Sequence, residues 1–415
     1  MRVCIHRGAH EIGGTCIELD AEGVRILLDL GRPLWAQPGE EVPLPPVAGL
    51  ASGDDPSLRG ILISHPHQDH YGLVSGAHPT VPIFMGEAAA RILREAAFFV
   101  PGVPPIRPTG FLRHRVPFSL GPFRITPYLN DHSAFDAYSL LVEAGGKRLF
   151  YTGDIRGHGR KAAMFEQLLR DPPTGIDVLL LEGTHVPAEG PVPMITGASE
   201  RDVEEACVAT FRETSGLVLA AYSAQNIDRL VTMYRAARRA DRELVVDLYT
   251  ATLATATGCR SIPQVGFDGL RVFVPRSQRV RVLRQRAFER VDRIRSCRIF
   301  PDELAARPDH FVLTFRSSML AELEALEPLN GARAVWSLWP GYLDQSEGLR
   351  AFLSRQGIEL AVHHSSGHAW VHDLHLLVDS LSPKRLVPIH SFGGATFRVV
   401  FPRVDRRDDT LWWKV

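Results

Sequence analysis

Four side chains able to bind a metal are packed into six residues: His65-Pro66-His67-Gln68-Asp69-His70 reads H-x-H-x-D-H. Imidazole and carboxylate donors suit zinc or manganese, and the pattern holds no thiolate to bias it towards a closed structural zinc. The hexapeptide follows Ile61-Leu62-Ile63-Ser64, an apolar strand candidate, so its donors stand at the end of a strand. With the backbone fixed there, His65 and His67 can turn to one ion, while Asp69 and His70, past the turn, reach a second. Two ions at about 3.5–4 Å need a carboxylate between them and further ligands on each. Downstream residues complete such a set: His132 joins His65 and His67, His390 joins Asp69 and His70, and Asp154 bridges. The plain alternatives are a solvated loop at 65–70, a satisfied loop histidine at 132 and a turn aspartate after Gly153. Strand-end positions and mutual complementarity speak against them.

The elements that must position these donors are short β runs in the first part of the chain. Arg2–Ile5, Thr15–Leu19 and Gly23–Asp29 precede a Pro/Gly-rich loop from Arg32 to Pro56, and Glu87–Phe99 has helical periodicity. Phe123–Pro127 and Tyr138–Glu143 bracket His132; Arg148–Thr152 runs into Gly153-Asp154, and Asp177–Leu181 into Glu182. Four apolar strands thus end in a charged or imidazole side chain. Open sheets gather ligands at the carboxyl ends of their strands, so these polar ends are expected to pool into one site. Asp29, after Ile26–Leu28, is placed to hydrogen-bond a ligand histidine and fix its tautomer, or is a simple turn residue. From about Met194 to Leu349 helices alternate with strands (Glu200–Glu213, Gly216–Ala221, Ile227–Ala240, Glu243–Leu248), which predicts a parallel α/β unit. In the helix Ile227–Ala240 the expected buried face is Ile227, Leu230, Val231 and Tyr234. The chain then returns through His363–Trp370, a helix Val371–Leu381 and the strand Arg385–Ile389 to His390.

Bulk properties narrow the class. A chain of 415 residues can bury a large core and divides naturally into two domains. Its 47 basic and 47 acidic residues balance, so no global field advertises a polyanionic partner. A local one exists between Arg276 and Arg298, where nine arginines stand against Glu289 and Asp292 only. Their spacing against Val280, Leu283, Ala287, Val291 and Ile294 predicts one amphipathic helix, either a solvated face or a wall of a nucleic-acid channel. Cys4, Cys16, Cys207, Cys259 and Cys297 are odd in number and show no C-x-x-C spacing, which argues for thiols in a reducing cytoplasm. Neither a signal-peptide layout nor a membrane-spanning run is present in the sequence.

With these residues in place, the chain resembles the metallo-β-lactamase superfamily, an αβ/βα sandwich of mixed sheets. Leu-Leu-Leu-Glu182-Gly-Thr, Ser-Ser-Gly-His368-Ala and Val-Pro-Ile-His390-Ser are similar to three additional motifs of its β-CASP nuclease branch. Gly8-Ala9-His10-Glu11-Ile12-Gly13-Gly14 resembles the opening hairpin of RNase J-type and archaeal cleavage-factor-type members. The resemblance implies an α/β fold in three stretches. Residues 1–193 and 350–415 would form the metallo-β-lactamase domain, and 194–349 an inserted α/β β-CASP domain. It implies a metal-dependent ribonuclease, endonucleolytic or acting from the 5′ end, in which two divalent ions, zinc or else manganese, activate a hydroxide. A histidine at the position of His390 marks RNA-acting members, so RNA is the expected partner, with DNA as the alternative and a homo-oligomer open. Asp69 would be both ligand and catalytic. His368 would contact the scissile phosphate or protonate the leaving oxygen, and Glu182 would orient it and raise its pKa; an ordinary buried ion pair is the alternative for the two.

Ser365, Ser366 and Gly367 are candidates to meet phosphate oxygens. Ser223, Gln225 and Asn226 either cap a helix or touch substrate. His158, His372 and His375 lie near the motifs but are expected not to be ligands. Two features depart from the pattern: the further C-terminal domain usual in RNase J proteins has no counterpart after His390, and Leu313–Met319 lacks the small, Gly-containing loop. A small-molecule hydrolase would share H-x-H-x-D-H but have no use for Glu182, His368 and a large insert, and a silent RNA-binding scaffold would not keep every ligand position.

Overall fold

The computed structural model describes residues 1–37, 39–100, 105–192, 196–326 and 329–415. They form two compact units, one of Met1–Gly197 with Gly367–Val415, the other Ala198–Ser366. The expected start of the insert at Met194 lies outside the described residues. Its expected end at 349 is corrected to 366, because the helix Glu347–Arg355 and the strand Glu359–Val362 complete the insert's own sheet.

Among the described residues the first unit holds two sheets. One has seven strands in the order Trp412–Lys414, Arg2–Arg7, Cys16–Ala21, Val24–Leu28, Leu58–Leu62, Ile83–Gly86 and Gly110–Leu112. Its first three pairings are antiparallel and its last three parallel. The other has six, in the order Arg385–Ile389, Val178–Glu182, Lys147–Tyr151, Tyr138–Ala144, Phe123–Leu129 and Phe118–Leu120, parallel over the first two pairings and antiparallel after them.

Alternate side chains of a strand point to opposite faces, and the apolar residues use both. Ile26, Leu28 and Leu62 meet Leu140, Leu149, Tyr151, Leu180 and Ile389 in the core between the sheets. Leu27, Ile61 and Ile63 instead pack under the helix Glu87–Phe99 through Ala89 and Leu93. On the second sheet Phe150, Leu179 and Leu181 lie under Phe165, Leu374, Leu377 and Phe397 of three helices. Strands apolar on both faces are what a sheet covered on both sides requires. A fully buried leucine such as Leu180 contributes about 2–3 kcal/mol.

Parallel register brings strand ends together. Leu28 pairs with Leu62, Tyr151 with Leu180, and Glu182 with Ile389, so Asp29, Ser64, Asp154, Glu182 and His390 emerge at aligned carboxyl ends. The two sheets are tied at this end by the Tyr138 amide, which donates to the Ser64 carbonyl at 2.9 Å.

The second unit contains a six-stranded, all-parallel sheet in the order Leu270–Phe273, Glu243–Asp247, Phe311–Thr314, Val218–Ala221, Arg333–Trp336 and Glu359–Val362. The helix Glu200–Glu213 starts at a capping box of Ser199 and Asp202. Ile227–Arg239 follows an Asn226 cap and buries Ile227, Leu230, Met233 and Ala237; Val231 and Tyr234, expected inside, are half-exposed. The continuous basic helix expected over 276–298 is also corrected. A helix runs from Arg276 to Gln285, Arg286 takes a left-handed conformation (φ +53°), and a one-turn helix Glu289–Asp292 follows. Val282 and Ile294 are buried there while Leu283 is exposed. No helix among the described residues is long and apolar enough to cross a membrane.

Candidate metal centre

The strand ends of the first unit converge on a buried histidine and carboxylate cluster. One donor atom each from His65, His67, His132 and Asp154 lies within 4.8 Å of the others, and the same holds for Asp69, His70, Asp154 and His390. Asp154 belongs to both groups. Its Oδ2 is 3.4 Å from His65 Nε2, 3.3 Å from His70 Nε2 and 3.9 Å from His132 Nε2. Its Oδ1 is 3.8 Å from His390 Nε2, which also lies 3.2 Å from Asp69 Oδ2.

Backbone constraints hold this arrangement. Asp69 sits against Gly31, where a Cβ would stand 1.7 Å from the Asp69 carbonyl oxygen. That carbonyl accepts from the Thr15 amide, the His70 carbonyl from the Leu30 amide, and the Gln68 carbonyl from the Arg32 amide. Asp29 and His390 both occupy the left-handed region, at φ +60° and +50°. Non-glycine residues there cost about 1–3 kcal/mol and cluster at functional sites.

Asp29 is engaged on both oxygens. It accepts from the Ser64 amide (2.6 Å), the Ser64 hydroxyl (2.7 Å) and the Tyr151 hydroxyl, and its Oδ2 lies 2.7 Å from His70 Nδ1. A carboxylate on Nδ1 keeps that nitrogen protonated, so His70 Nε2, towards Asp154 and Asp69, is the atom that would exchange its proton for a metal. His132 is oriented in the same way, through Nδ1 to the Gly367 carbonyl.

The electrostatics suit cations. Burial, with help from neighbouring imidazoles, pushes His65 and His132 well below the ordinary histidine pKa; burial also lowers His67. All three therefore stay neutral and able to coordinate. Burial works against the charged form of His70, yet Asp154, Asp69 and Asp29 outweigh it and raise its pKa. Burial likewise opposes ionisation of Asp69, but His70 and His390 hold its carboxyl down at about 2 in the metal-free protein. Ionised carboxylates thus crowd one spot and call for positive charge. His65 Nε2, His70 Nε2 and Asp154 Oδ1 are buried without a hydrogen-bond partner, an arrangement that costs about 1–3 kcal/mol per group unless something satisfies it. Divalent ions accepted by these same atoms would do so, and the donor set, nitrogen and oxygen without sulfur, fits them.

A second cluster adjoins the first. Glu182, His368 and His390 also bring donor atoms within 4.8 Å of one another. His368 Nδ1 is 3.3 Å from Glu182 Oε2 and 3.8 Å from Asp154 Oδ2. The Glu182 carboxylate accepts the amides of Ile155, Thr184 and Ala369, joining the loop after Asp154 to the loop that carries His368. Burial disfavours both charges, but the pair prevails: His368 is raised to about 9 and Glu182 lowered.

Sequence reasoning did not single out Thr184, whose hydroxyl lies 3.1 Å from His368 Nδ1 and 3.0 Å from His390 Nδ1, nor Ser64 and Tyr151 beside Asp29. Their signal was weak: Thr184 stands two residues after Glu182, and Ser64 immediately before His65. Tyr151 is visible only through the sheet register. His158 stacks on Trp370 with 5.5 Å between centroids and His375 packs against Phe401, and among the described residues neither joins a metal-competent group; His372 is exposed on its helix.

The remaining candidates are already engaged. Gly367 offers its carbonyl to His132. Within the second unit the buried Ser365 hydroxyl donates to Glu200 at 2.9 Å and accepts from Arg229 at 3.0 Å. Ser366 is half-buried. Asn226 caps its helix by accepting the Arg229 amide at 2.9 Å, and the Ser223 hydroxyl accepts the Gln225 amide.

Residues 24–215 match the family model described as a β-lactamase superfamily domain. A Mycobacterium tuberculosis (H37Rv) protein named ribonuclease J is 25% identical over 94% of this chain and 68% of its own. A Methanocaldococcus jannaschii RNase J-like protein is 23% identical over 43% of this chain and 42% of its own. A crystal structure of a protein of unknown function from Enterococcus faecalis V583 shares the fold, with a TM-score of 0.80 and 19% identity over 99% of both chains. The sandwich and its histidine-rich end, with these likenesses, define a metal-dependent hydrolase. Over residues 24–215 the chain is thus similar to the β-lactamase superfamily, and over 94% of its length to a protein named ribonuclease J.

Proposed function

We propose that this protein hydrolyses RNA phosphodiester bonds with a pair of divalent cations, zinc or else manganese. His65, His67 and His132 would hold one ion, Asp69, His70 and His390 the other, and Asp154 would lie between. The observation that carries this reading is the shared position of Asp154, whose two oxygens face both groups of donors. The ribonuclease J names of the relatives supply the substrate class.

When bound, the ions would supply a nucleophilic hydroxide near neutral pH and offset charge building on the phosphate. The protein's own groups do the rest. Asp29 and the Gly367 carbonyl hold His70 and His132 in their ligating tautomers. Burial opposes the charge of His368 but Glu182 beside it raises its pKa, and His368 can contact the scissile phosphate or give a proton to the departing oxygen. Its side chain is about one-fifth exposed, unlike that of Glu182, so it can meet a substrate while Glu182 positions it from behind.

Asp154→Asn should lower cleavage of labelled RNA by more than about a hundredfold, the upper range for losing a group that only supports a ligand, with an unchanged circular dichroism spectrum. Matched RNA and DNA strands, labelled at the 5′ end and internally, give the sugar preference and the direction of attack in the same assay. Undiminished RNA cleavage by exhaustively chelated protein would refute the proposal.

A further inference from the structure

We propose that the arginine-rich hairpin from Arg276 to Phe300 is a docking surface for single-stranded RNA, a proposal that rests on the ribonuclease reading above. The hairpin grows from one edge of the second unit's sheet. The helix Arg276–Gln285 follows the edge strand Leu270–Phe273, and the left-handed turn at Arg286 sends the chain back. The return is pinned to the same strand: the Val272 amide donates to the Cys297 carbonyl at 2.9 Å and the Ile299 amide to the Val272 carbonyl at 3.0 Å. Val282, Ile294, Cys297 and Ile299 are the buried anchors.

What this leaves outside is positive. Arg276, Arg279, Arg284, Arg286, Arg293 and Arg295 are exposed, and among the described residues none of them makes an ion pair with a carboxylate. In the rest of the unit several arginines do have carboxylate partners. There, Arg238 pairs with Asp268, Arg239 with Glu204 and Glu205, Arg333 with Glu213 and Glu359, and Arg355 with Glu324. On the hairpin itself the acids are Glu289 and Asp292, both exposed, and from outside it Glu322 accepts the Arg276 amide. A surface whose like charges are left to repel one another fits a polyanion, which releases counterions when its phosphates are neutralised.

The same surface carries apolar groups. Leu283, Phe288 and Phe300 are 56%, 51% and 49% exposed, and the Arg298 guanidinium lies 4.6 Å over the Phe300 ring. Arginine interleaved with aromatic rings suits a strand whose bases are free to stack. A duplex keeps its bases stacked inside and would use only the charges.

Arg284, Arg286, Arg293 and Arg295 replaced together by Gln, in full-length protein carrying Asp154→Asn to prevent cleavage, test the idea. Binding of a labelled, unstructured RNA is followed by anisotropy across a salt series. The plot of log K against log salt should become shallower by about 0.7 for each arginine that meets a phosphate. Phe288→Ala should weaken binding about tenfold without changing that slope. An unaltered affinity and slope in the fourfold variant would overturn the proposal. So would equal weakening of duplex RNA by Phe288→Ala, or displacement of the RNA by polyglutamate at matched charge concentration. Wild-type protein that neither binds nor cleaves RNA sinks the ribonuclease reading itself, whereas cleavage with an unaltered slope sinks only the docking surface.

Discussion

Thr184 presents one hydroxyl to two imidazoles, and that hydroxyl joins the proposed ligand His390 to the proposed proton donor His368. If His390 Nε2 binds a cation beside Asp69, its proton must reside on Nδ1, which then donates to Thr184 Oγ1. Thr184→Val keeps the shape and removes the acceptor. It should lower turnover on RNA and metal affinity by about tenfold to a hundredfold, and Thr184→Ser should restore most of both. Wild-type metal affinity and kcat in the valine variant would show that the hydroxyl orients nothing. At this scale, His65, His67, Asp69 and His70 were legible because four donors in six residues are hard to explain otherwise, and His132, Asp154 and His390 because each follows a strand. Thr184, Ser64 and Tyr151 were not. Hydroxyl side chains are common in every context, and only the packing of strand ends shows that these three meet Asp29, His368 and His390.

The elements explain why distant residues meet. Parallel pairing aligned the ends of Val24–Leu28 with Leu58–Leu62 and of Val178–Glu182 with Arg385–Ile389, which no local pattern could specify. In the second unit Asp247 closes its strand, and its buried carboxylate accepts the Thr250 amide, Gln278 Nε2 and Arg316 Nε, each at 2.8 Å. Arg316 stands in the loop that departed from the expected small residues, so that departure has a structural use. Burial opposes the Asp247 charge, but Arg316 and these hydrogen bonds win, and its pKa is lowered. A depressed carboxyl stabilises the fold above its unfolded pKa of about 3.9 and loses that contribution as pH falls through its folded value. Asp247→Ala should therefore cost about 3 kcal/mol at neutral pH. Below about pH 4 the wild-type melting temperature should fall more steeply than the variant's; parallel acid slopes in calorimetry would contradict this. Strands and helices with clean periodicity, such as Glu87–Phe99 and Val371–Leu381, were legible to the residue. The basic hairpin was not: its apolar residues sit at helical spacing, yet Arg286 turns left-handed and leaves Leu283 in solvent.

For the whole molecule, two units with separate sheets and cores were legible from the change of pattern along the chain, but not where the insert closes. The segment 350–366 reads as more of the same α/β alternation, and only pairing of Glu359–Val362 with Arg333–Trp336 assigns it to the second unit. The first unit supplies, from residues as far apart as His65 and His390, a cluster whose buried unpaired atoms cations would satisfy together. Zinc titration of the chelated protein, with metal content measured against protein concentration, tests that account most directly. It predicts saturation at about two ions per chain, with Asp154→Asn holding fewer and RNA cleavage rising with occupancy of both sites. Saturation at a single ion with full cleavage activity would contradict it.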